Sequence, residues 1–283
     1  MTSLDLGLSV ALLALAIAAG AAYLARVARR GRARSARVDR EGASALLGKS
    51  TMEGAYWVMT PIARALAAAG VTPNEITAAS LALSIGAGVA LALGRFGVAA
   101  ALAALAAMGD ALDGAVARAT GTASDAGEVF DAAVDRYAEF FFLAGLATRY
   151  RGEPALLLIT LAALLGTFMV SYSTAKAEAL GVDPPRGAMR RAERAAYLVG
   201  GALLSPIFGA AYAGHSPAWP WLAEAPMLAA IALVAGVGNV SAARRLHAIY
   251  LAVRDRDRAR LASRPASAGG RPDLAAAGPP AGK

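Results

Sequence analysis

The sequence predicts an all-α integral membrane protein, and three features carry that prediction. Hydrophobic residues make up 57% of the 283, with 30 Gly besides, well above the ~45–50% apolar content of soluble domains. The charged 17% is gathered into short stretches, whereas an amphipathic soluble helix would spread its charges along one face. Between those stretches lie apolar runs that reach the ~20 residues needed to cross a bilayer core.

The first run, Leu6 to Ala25, reads as an extra N-terminal span. No Lys or Arg precedes it, while Arg26, Arg29, Arg30, Arg32, Arg34 and Arg37 follow directly. This favours a retained anchor (residues 1–27) over a secretory signal, its amino end outside and its basic linker (28–50) in the cytoplasm. Within 51–70, Met52, Tyr56, Met59, Ala63 and Leu66 recur at steps of four and three, the spacing of one helix face. With Trp57 and Arg64 beside them, they describe an amphipathic helix lying in the membrane interface.

Pro73 then blocks backward continuation, and Thr72 or Asn74 can cap the helix that begins near Glu75. A six-span domain (71–253) follows, with runs at Ile76–Leu93, Val98–Ala117, Val129–Thr148, Pro154–Ala179, Ala192–Ala213 and Pro226–Ala243. The connections near Arg95, near Arg149 and Arg151, and near His215 carry few positive charges; Arg118, Lys176, Arg186, Arg190, Arg191, Arg194, Arg244 and Arg245 lie at the alternate ends. By the positive-inside rule those ends are cytoplasmic. The alternation holds throughout, so the net charge of +8 is assigned to topology and anionic lipid and not to nucleic acid. From Arg254 to Lys283 the chain is Arg/Asp-rich and then Ala/Gly/Pro-rich, a tail expected to be disordered because it has little to bury. The absence of Cys excludes disulfides, thiol catalysis and Cys-based zinc sites.

The informative stretch runs from Asp110 to Asp135. Asp110 and Asp113 are three apart near the cytoplasmic end of one span; Asp131 and Asp135 are four apart near the start of the next. Each pair shares a helix face. At ~1.5 Å per residue, an antiparallel hairpin brings both pairs to a common depth. An ionised Asp inside a span costs about 2.5–3.5 kcal/mol, so four together require cations, and Arg118 can satisfy only one or two. Oxygen ligands without His or Cys suit a hard divalent ion, Mg²⁺ or Mn²⁺, and two such ions would make a phosphoryl-transfer site. Gly114 and Gly127, lacking Cβ, permit close approach of a ligand or of a neighbouring helix. Two other readings remain at this point: solvated acids on a short hairpin, and the pathway of a divalent cation transporter.

Asp110, Asp113-Gly114, Ala117-Arg118, Gly127, Asp131 and Asp135 stand at intervals of two, two, eight, three and three intervening residues. This pattern resembles the complete signature of the CDP-alcohol phosphatidyltransferases, and Thr72-Pro73-Asn74 also resembles a segment these enzymes carry. The resemblance extends from about Thr72 to Arg245 and implies a six-helix bundle in a multi-pass inner-membrane homodimer. It implies transfer of a phosphatidyl group from CDP-diacylglycerol to an alcohol, with release of CMP at the cytoplasmic face. Asp110, Asp113, Asp131 and Asp135 would hold two metal ions; Asn74, Asp113, Gly114, Ala117, Arg118 and Gly127 would shape the CDP site; Asp135 would be the general base.

Ser171-Tyr172, Ala175-Lys176-Ala177-Glu178, Gly187 and Arg191-Ala192-Glu193-Arg194 are similar to a segment of the inositol-phosphate-using members. Lys176 stands where those members usually have Arg, and Arg190 where they have an acid. Lys176, Arg191 and Arg194 are therefore the expected ligands of an acceptor phosphate, with Arg245 added on its position at the cytoplasmic end of the last span, and Glu193 is read only as a local ion partner of Arg194. Glycerol 3-phosphate is the nearest alternative acceptor, with serine and free inositol behind it.

Overall fold

The computed structural model describes residues 2–32, 48–183, 187–213 and 220–263, which are helical almost throughout and contain no strand. In chain order the helices are α1 (Ser3–Arg30), α2 (Gly48–Ala68), α3 (Pro73–Ala92), α4 (Phe96–Thr120), α5 (Asp125–Arg149), α6 (Pro154–Ala179), α7 (Arg191–Ala211) and α8 (Ala225–Ala262). A short 3₁₀ turn, Pro220–Glu224, precedes α8. The interfacial helix, the six bundle helices and the extra N-terminal helix thus all form where the apolar periodicity places them.

Local chemistry fixes the ends. Thr72, not Asn74, caps α3: its side chain accepts from the Glu75 amide while the Glu75 carboxylate takes the Thr72 amide at 2.8 Å, with Pro73 at the first helical position. Gly121, in the left-handed conformation at φ 68°, closes α4, and Ser124 caps α5 by accepting from the Gly127 amide at 3.2 Å. Between them lies the tight hairpin that sets α4 and α5 antiparallel.

Among the described residues, six helices are long and apolar enough to cross a membrane: α1, α3, α4, α6, α7 and the stretch Trp221–Ala262. The seventh expected span, within α5, is a full-length helix, but Asp125, Glu128, Asp131, Asp135, Arg136 and Glu139 crowd its amino-terminal part and exclude it on apolarity. It packs against α3 and α6 nevertheless. At the carboxy end, α8 continues to Ala262, so the expected boundary of the tail at 254 moves outward. Arg and Asp alternate there and tolerate helix well, and Arg256 donates to the Leu180 carbonyl at 2.6 Å. Residues 264–283, most of the 28–50 linker, and Arg34, Arg37, Arg186 and His215 lie outside the described residues.

Small residues set the helix spacing. A Cβ added at Gly88 of α3 would lie 2.3 Å from the Phe141 carbonyl oxygen of α5, and one at Gly145 would lie 2.1 Å from the Gly88 carbonyl oxygen. The two backbones therefore touch. A buried cluster including Leu91, Phe96, Leu143, Leu146 and Ile231 fills the bundle on one side of this crossing. A smaller cluster of Ala63, Ile76, Leu112 and Val116 seats α2 on the back of α4, behind the Asp110–Asp113 turn.

The first helix is integrated with the bundle as well. Asp5 is fully buried; it accepts from Thr2 Oγ1 at 2.6 Å and Arg95 Nε at 2.8 Å. Its carbonyl sits where a Cβ on Gly97 would stand, 2.0 Å away. At the other end of α1, the Tyr23 hydroxyl donates to Glu53 of α2 at 3.4 Å.

Gly145→Val is expected to destabilise the protein by the upper end of the ~1–3 kcal/mol typical of overpacking, read as a lowered thermal midpoint in detergent. Gly200→Ala, with nothing within 4 Å of the new methyl, should leave the midpoint unchanged; equal effects of the two would refute the backbone contact.

Candidate active site

The carboxy half of α4 and the amino half of α5 meet beside the amino end of α7, and the acids converge there. One carboxylate oxygen from each of Asp110, Asp113 and Asp131 lies within 4.8 Å of the other two. Asp113 is buried and held from two directions: Thr77 Oγ1 of α3 donates to Oδ2 at 2.6 Å, and the Gly114 amide approaches Oδ1 at 2.5 Å. Thr77 is on the page of the sequence, but a single Thr in an apolar span gives no signal of its own.

Asp135 does not join that trio. The Arg191 guanidinium bridges it to Asp110, donating to Asp110 Oδ1 at 2.6 Å and pairing with Asp135 Oδ1 through its other terminal nitrogen. One turn deeper the arrangement repeats, with Arg194 donating from Nε to Glu139 at 3.1 Å and from a terminal nitrogen to the Met189 carbonyl at 2.7 Å. Two arginines three apart on α7 thus face two acids four apart on α5, forming a short ionic ladder. The sequence reading did not single out Glu139, although its i+4 relation to Asp135 places it on the same face.

The turn entering α7 is specially shaped. Met189 is buried and has φ of 63°, unusual for a residue with a Cβ. The Glu193 carboxylate stabilises it by accepting from the Met189 amide at 2.8 Å and the Arg190 amide at 3.2 Å. Glu193 therefore has a capping role beyond the local pairing expected of it.

A cavity of about 100 Å³ runs inward from this cluster. Its mouth carries the four aspartates with Glu139, Arg191 and Arg194; Thr77, Ser80 and Ser84 line one side, and Phe142 and Leu198 contribute apolar surface. Five carboxylates and two guanidiniums line the cavity, and Arg136 pairs with Glu139 at 3.6 Å from outside it, which still leaves excess negative charge in a low-dielectric setting. All-oxygen donors on Asp110, Asp113 and Asp131 fit a hard divalent cation.

The other expected site residues lie around this cavity without lining it. Arg118 folds back over Gly114, a guanidinium nitrogen 3.2 Å from where a Cβ would be. Gly127 sits in the Ser124 cap, Ala117 is half-buried one turn beyond Asp113, and Asn74 is exposed in the first turn of α3. Lys176 is exposed on the last turn of α6. Arg245 of α8 is buried and turned to the loop before α7, donating to the Gly187 carbonyl at 3.1 Å and Thr174 Oγ1 at 3.3 Å.

Comparison with known proteins gives a consistent answer. The model of the CDP-alcohol phosphatidyltransferase family matches residues 70–238. The phosphatidylinositol phosphate synthase of Mycobacteroides abscessus is 34% identical over 210 residues, 73% of this chain and 88% of that protein. The archaetidylinositol phosphate synthase of Pyrococcus horikoshii is 37% identical over 120 residues, 42% of this chain and 62% of that one. Two crystal structures of Mycobacterium tuberculosis phosphatidylinositol phosphate synthase superpose with TM-scores of 0.58 at 28% identity. One is in complex with manganese and citrate and covers 68% of this chain and 88% of that one. The other has CDP-DAG bound and covers 68% and 94%.

Because Arg194 is almost fully buried, Glu139→Gln leaves an uncompensated cation and is expected to cost about 3–5 kcal/mol. Replacing both partners, as E139L with R194M, should recover most of that loss. Thermal unfolding of the single and double variants checks the pair, and a double variant no better than E139Q would refute it.

Proposed function

The chain belongs to the CDP-alcohol phosphatidyltransferase family and is a multi-pass membrane enzyme of phospholipid biosynthesis that binds divalent metal; from that premise we propose that it transfers the phosphatidyl group of CDP-diacylglycerol to inositol phosphate, releasing CMP. The inositol phosphate and archaetidylinositol phosphate relatives support this acceptor, and the CDP-DAG-bound neighbour supports the donor. The family assignment leaves no place for the transporter reading.

One observation carries the mechanism: Arg191 touches both Asp110 and Asp135. An acceptor phosphate that pairs with Arg191 brings its hydroxyl beside Asp135, the one aspartate outside the trio. Asp135 then takes the hydroxyl proton as that oxygen bonds to the lipid-side phosphorus. The phosphorus–oxygen bond of the diphosphate breaks, and CMP leaves with the bonding pair. Asp110, Asp113 and Asp131 would hold Mg²⁺ or Mn²⁺, two ions with Asp135 as a further ligand. Bound ions would neutralise charge on the diphosphate and on the departing CMP.

The chain's own groups organise the rest. Thr77 and the Gly114 amide fix Asp113, Arg194 is held by Glu139 below Arg191, and Asn74, Gly114, Ala117, Arg118 and Gly127 frame the nucleotide. Arg194, Lys176 and Arg245 complete a cationic approach for the acceptor phosphate. The basic ends of the spans favour a cytoplasmic location for the site in the cell membrane, with the amino end of α1 outside; the family resemblance favours a homodimer.

Asp135→Asn should lower turnover by roughly 10²–10⁴-fold while CDP-diacylglycerol binding persists; near-normal turnover would remove Asp135 from the chemistry. CMP release is expected with inositol phosphate as acceptor and to stop on addition of a chelator. Release with glycerol 3-phosphate alone, or with serine but neither phosphate, would overturn the acceptor assignment.

A further inference from the structure

At the end of the bundle opposite the carboxylates, a cleft of about 710 Å³ opens between the start of α1, the α3–α4 turn, the end of α5 and the carboxy end of α7. Its size is that of a site for a sizeable organic ligand. Two arginines form its polar rim. Arg95 gives its Nε to Asp5 at 2.8 Å, and Arg149 gives one terminal nitrogen to Glu224 at 2.5 Å. Each guanidinium carries five N–H donors, so most remain available in both. The Arg149 Nε is buried and has no hydrogen-bond partner among the described residues.

The backbone is shaped to place these cations together. Gly94, at φ 72°, holds a left-handed conformation that disfavours other residues, and a Cβ there would lie 3.2 Å from the Arg149 guanidinium carbon. Arg149 therefore rests on the turn that leads directly into Arg95. Its other face covers the Trp221 ring at 5.3 Å, and the Tyr150 hydroxyl secures Glu224 at 2.9 Å. The facing wall is apolar and small-featured, made by Leu6, Pro206, Ala210 and Ala213. These arginines stand at the basic-poor ends of the spans, where the positive-inside pattern does not account for them.

Unfilled guanidinium donors beside an apolar wall suit an amphiphile with an anionic head. The buried carboxylates Asp5 and Glu224 offset both cations, which disfavours a free dianion and suits a singly charged phosphate diester. We propose that this cleft binds the phosphodiester headgroup of a phospholipid in the leaflet opposite the catalytic carboxylates, its phosphate between Arg95 and Arg149 and its glycerol and upper chains along Leu6, Pro206 and Ala210. The cleft shares no residue with the carboxylate cavity, so the lipid is distinct from the lipid substrate.

The full chain, reconstituted in nanodiscs of phosphatidylglycerol and phosphatidylcholine and released into detergent, is assayed by native mass spectrometry for phospholipid retained. Wild type is expected to keep phosphatidylglycerol. Ala210→Trp fills the cleft without altering charge, and D5N/R95Q/R149Q/E224Q removes both ion pairs at constant net charge. Each should reduce retention by roughly tenfold or more, the scale of a lost charge-assisted contact, with CMP-releasing activity of Ala210→Trp unchanged. Should the quadruple variant misfold, Ala210→Trp alone decides. Undiminished retention in Ala210→Trp overturns the proposal. So does displacement of the lipid by millimolar inorganic phosphate, which marks a free-anion site, or by CDP-diacylglycerol, which places it in the catalytic cavity.

Discussion

The structure depends on an excess of buried negative charge where α4, α5 and α7 meet. Five carboxylates against the guanidiniums of Arg136, Arg191 and Arg194 are unfavourable in a low-dielectric interior unless a further cation is accommodated. The surrounding elements hold the acids together against that repulsion. Gly121 and Ser124 keep the hairpin short, and the Gly88–Gly145 contact brings α3 close enough to α5 for Thr77 to reach across to Asp113 on α4. The left-handed turn at Met189 directs α7 so that Arg191 and Arg194 point at α5. Polar groups that would be liabilities in a lipid-facing helix are here turned toward one another.

Much of this was legible in the sequence, because helix periodicity and the cost of intramembrane charge are strong local rules. The spacings of three and four between paired aspartates, with Gly on either side of a short connection, were enough to predict a convergent cluster. What the sequence could not convey was partner choice. Arg191 and Asp110 are 81 residues apart, and nothing local distinguishes Arg191 from the positive-inside flank to which it also belongs. Glu139 was overlooked because an acid four residues beyond the signature shows no partner in the sequence until the burial of Arg194 beside it is known. Arg245 is a second case: its position at a basic span end suggests an acceptor ligand, but not that its guanidinium also donates to the loop backbone before α7. The outer stretch of α8 was misjudged because low apolarity was equated with disorder, although alternating Arg and Asp carry no strong helix penalty.

The first helix lies outside the family-matched residues 70–238, and its sequence offered no role. Its contacts do. Asp5 is buried against Arg95 and the Val98 amide at the start of α4, while Tyr23 meets α2, which in turn backs the aspartate-bearing end of α4. α1 also packs on α7. It therefore touches, directly or through α2, both ends of the helix that supplies Asp110 and Asp113, together with the helix that supplies Arg191. A lipid-facing anchor needs no buried aspartate, and retaining one is costly without its partners. The polar contacts make α1 part of the bundle's frame.

Environment, more than residue type, separates the four aspartates. Asp110, Asp113 and Asp131 approach one another within 4.8 Å, close enough that like charges repel strongly and a shared cation is favoured. Asp135 lies beside them but pairs with Arg191, the fixed cation that a carboxylate in an apolar setting needs. The same guanidinium contacts Asp110, so the candidate metal ligands, the proposed base and the proposed acceptor ligand form one connected group. A displacement of α7 by even an ångström would disturb all three functions together. That coupling gives a reason for the buried, left-handed Met189 and the Glu193 cap at the entrance to α7: the turn fixes the side chain on which the proposed alignment of acid and acceptor depends.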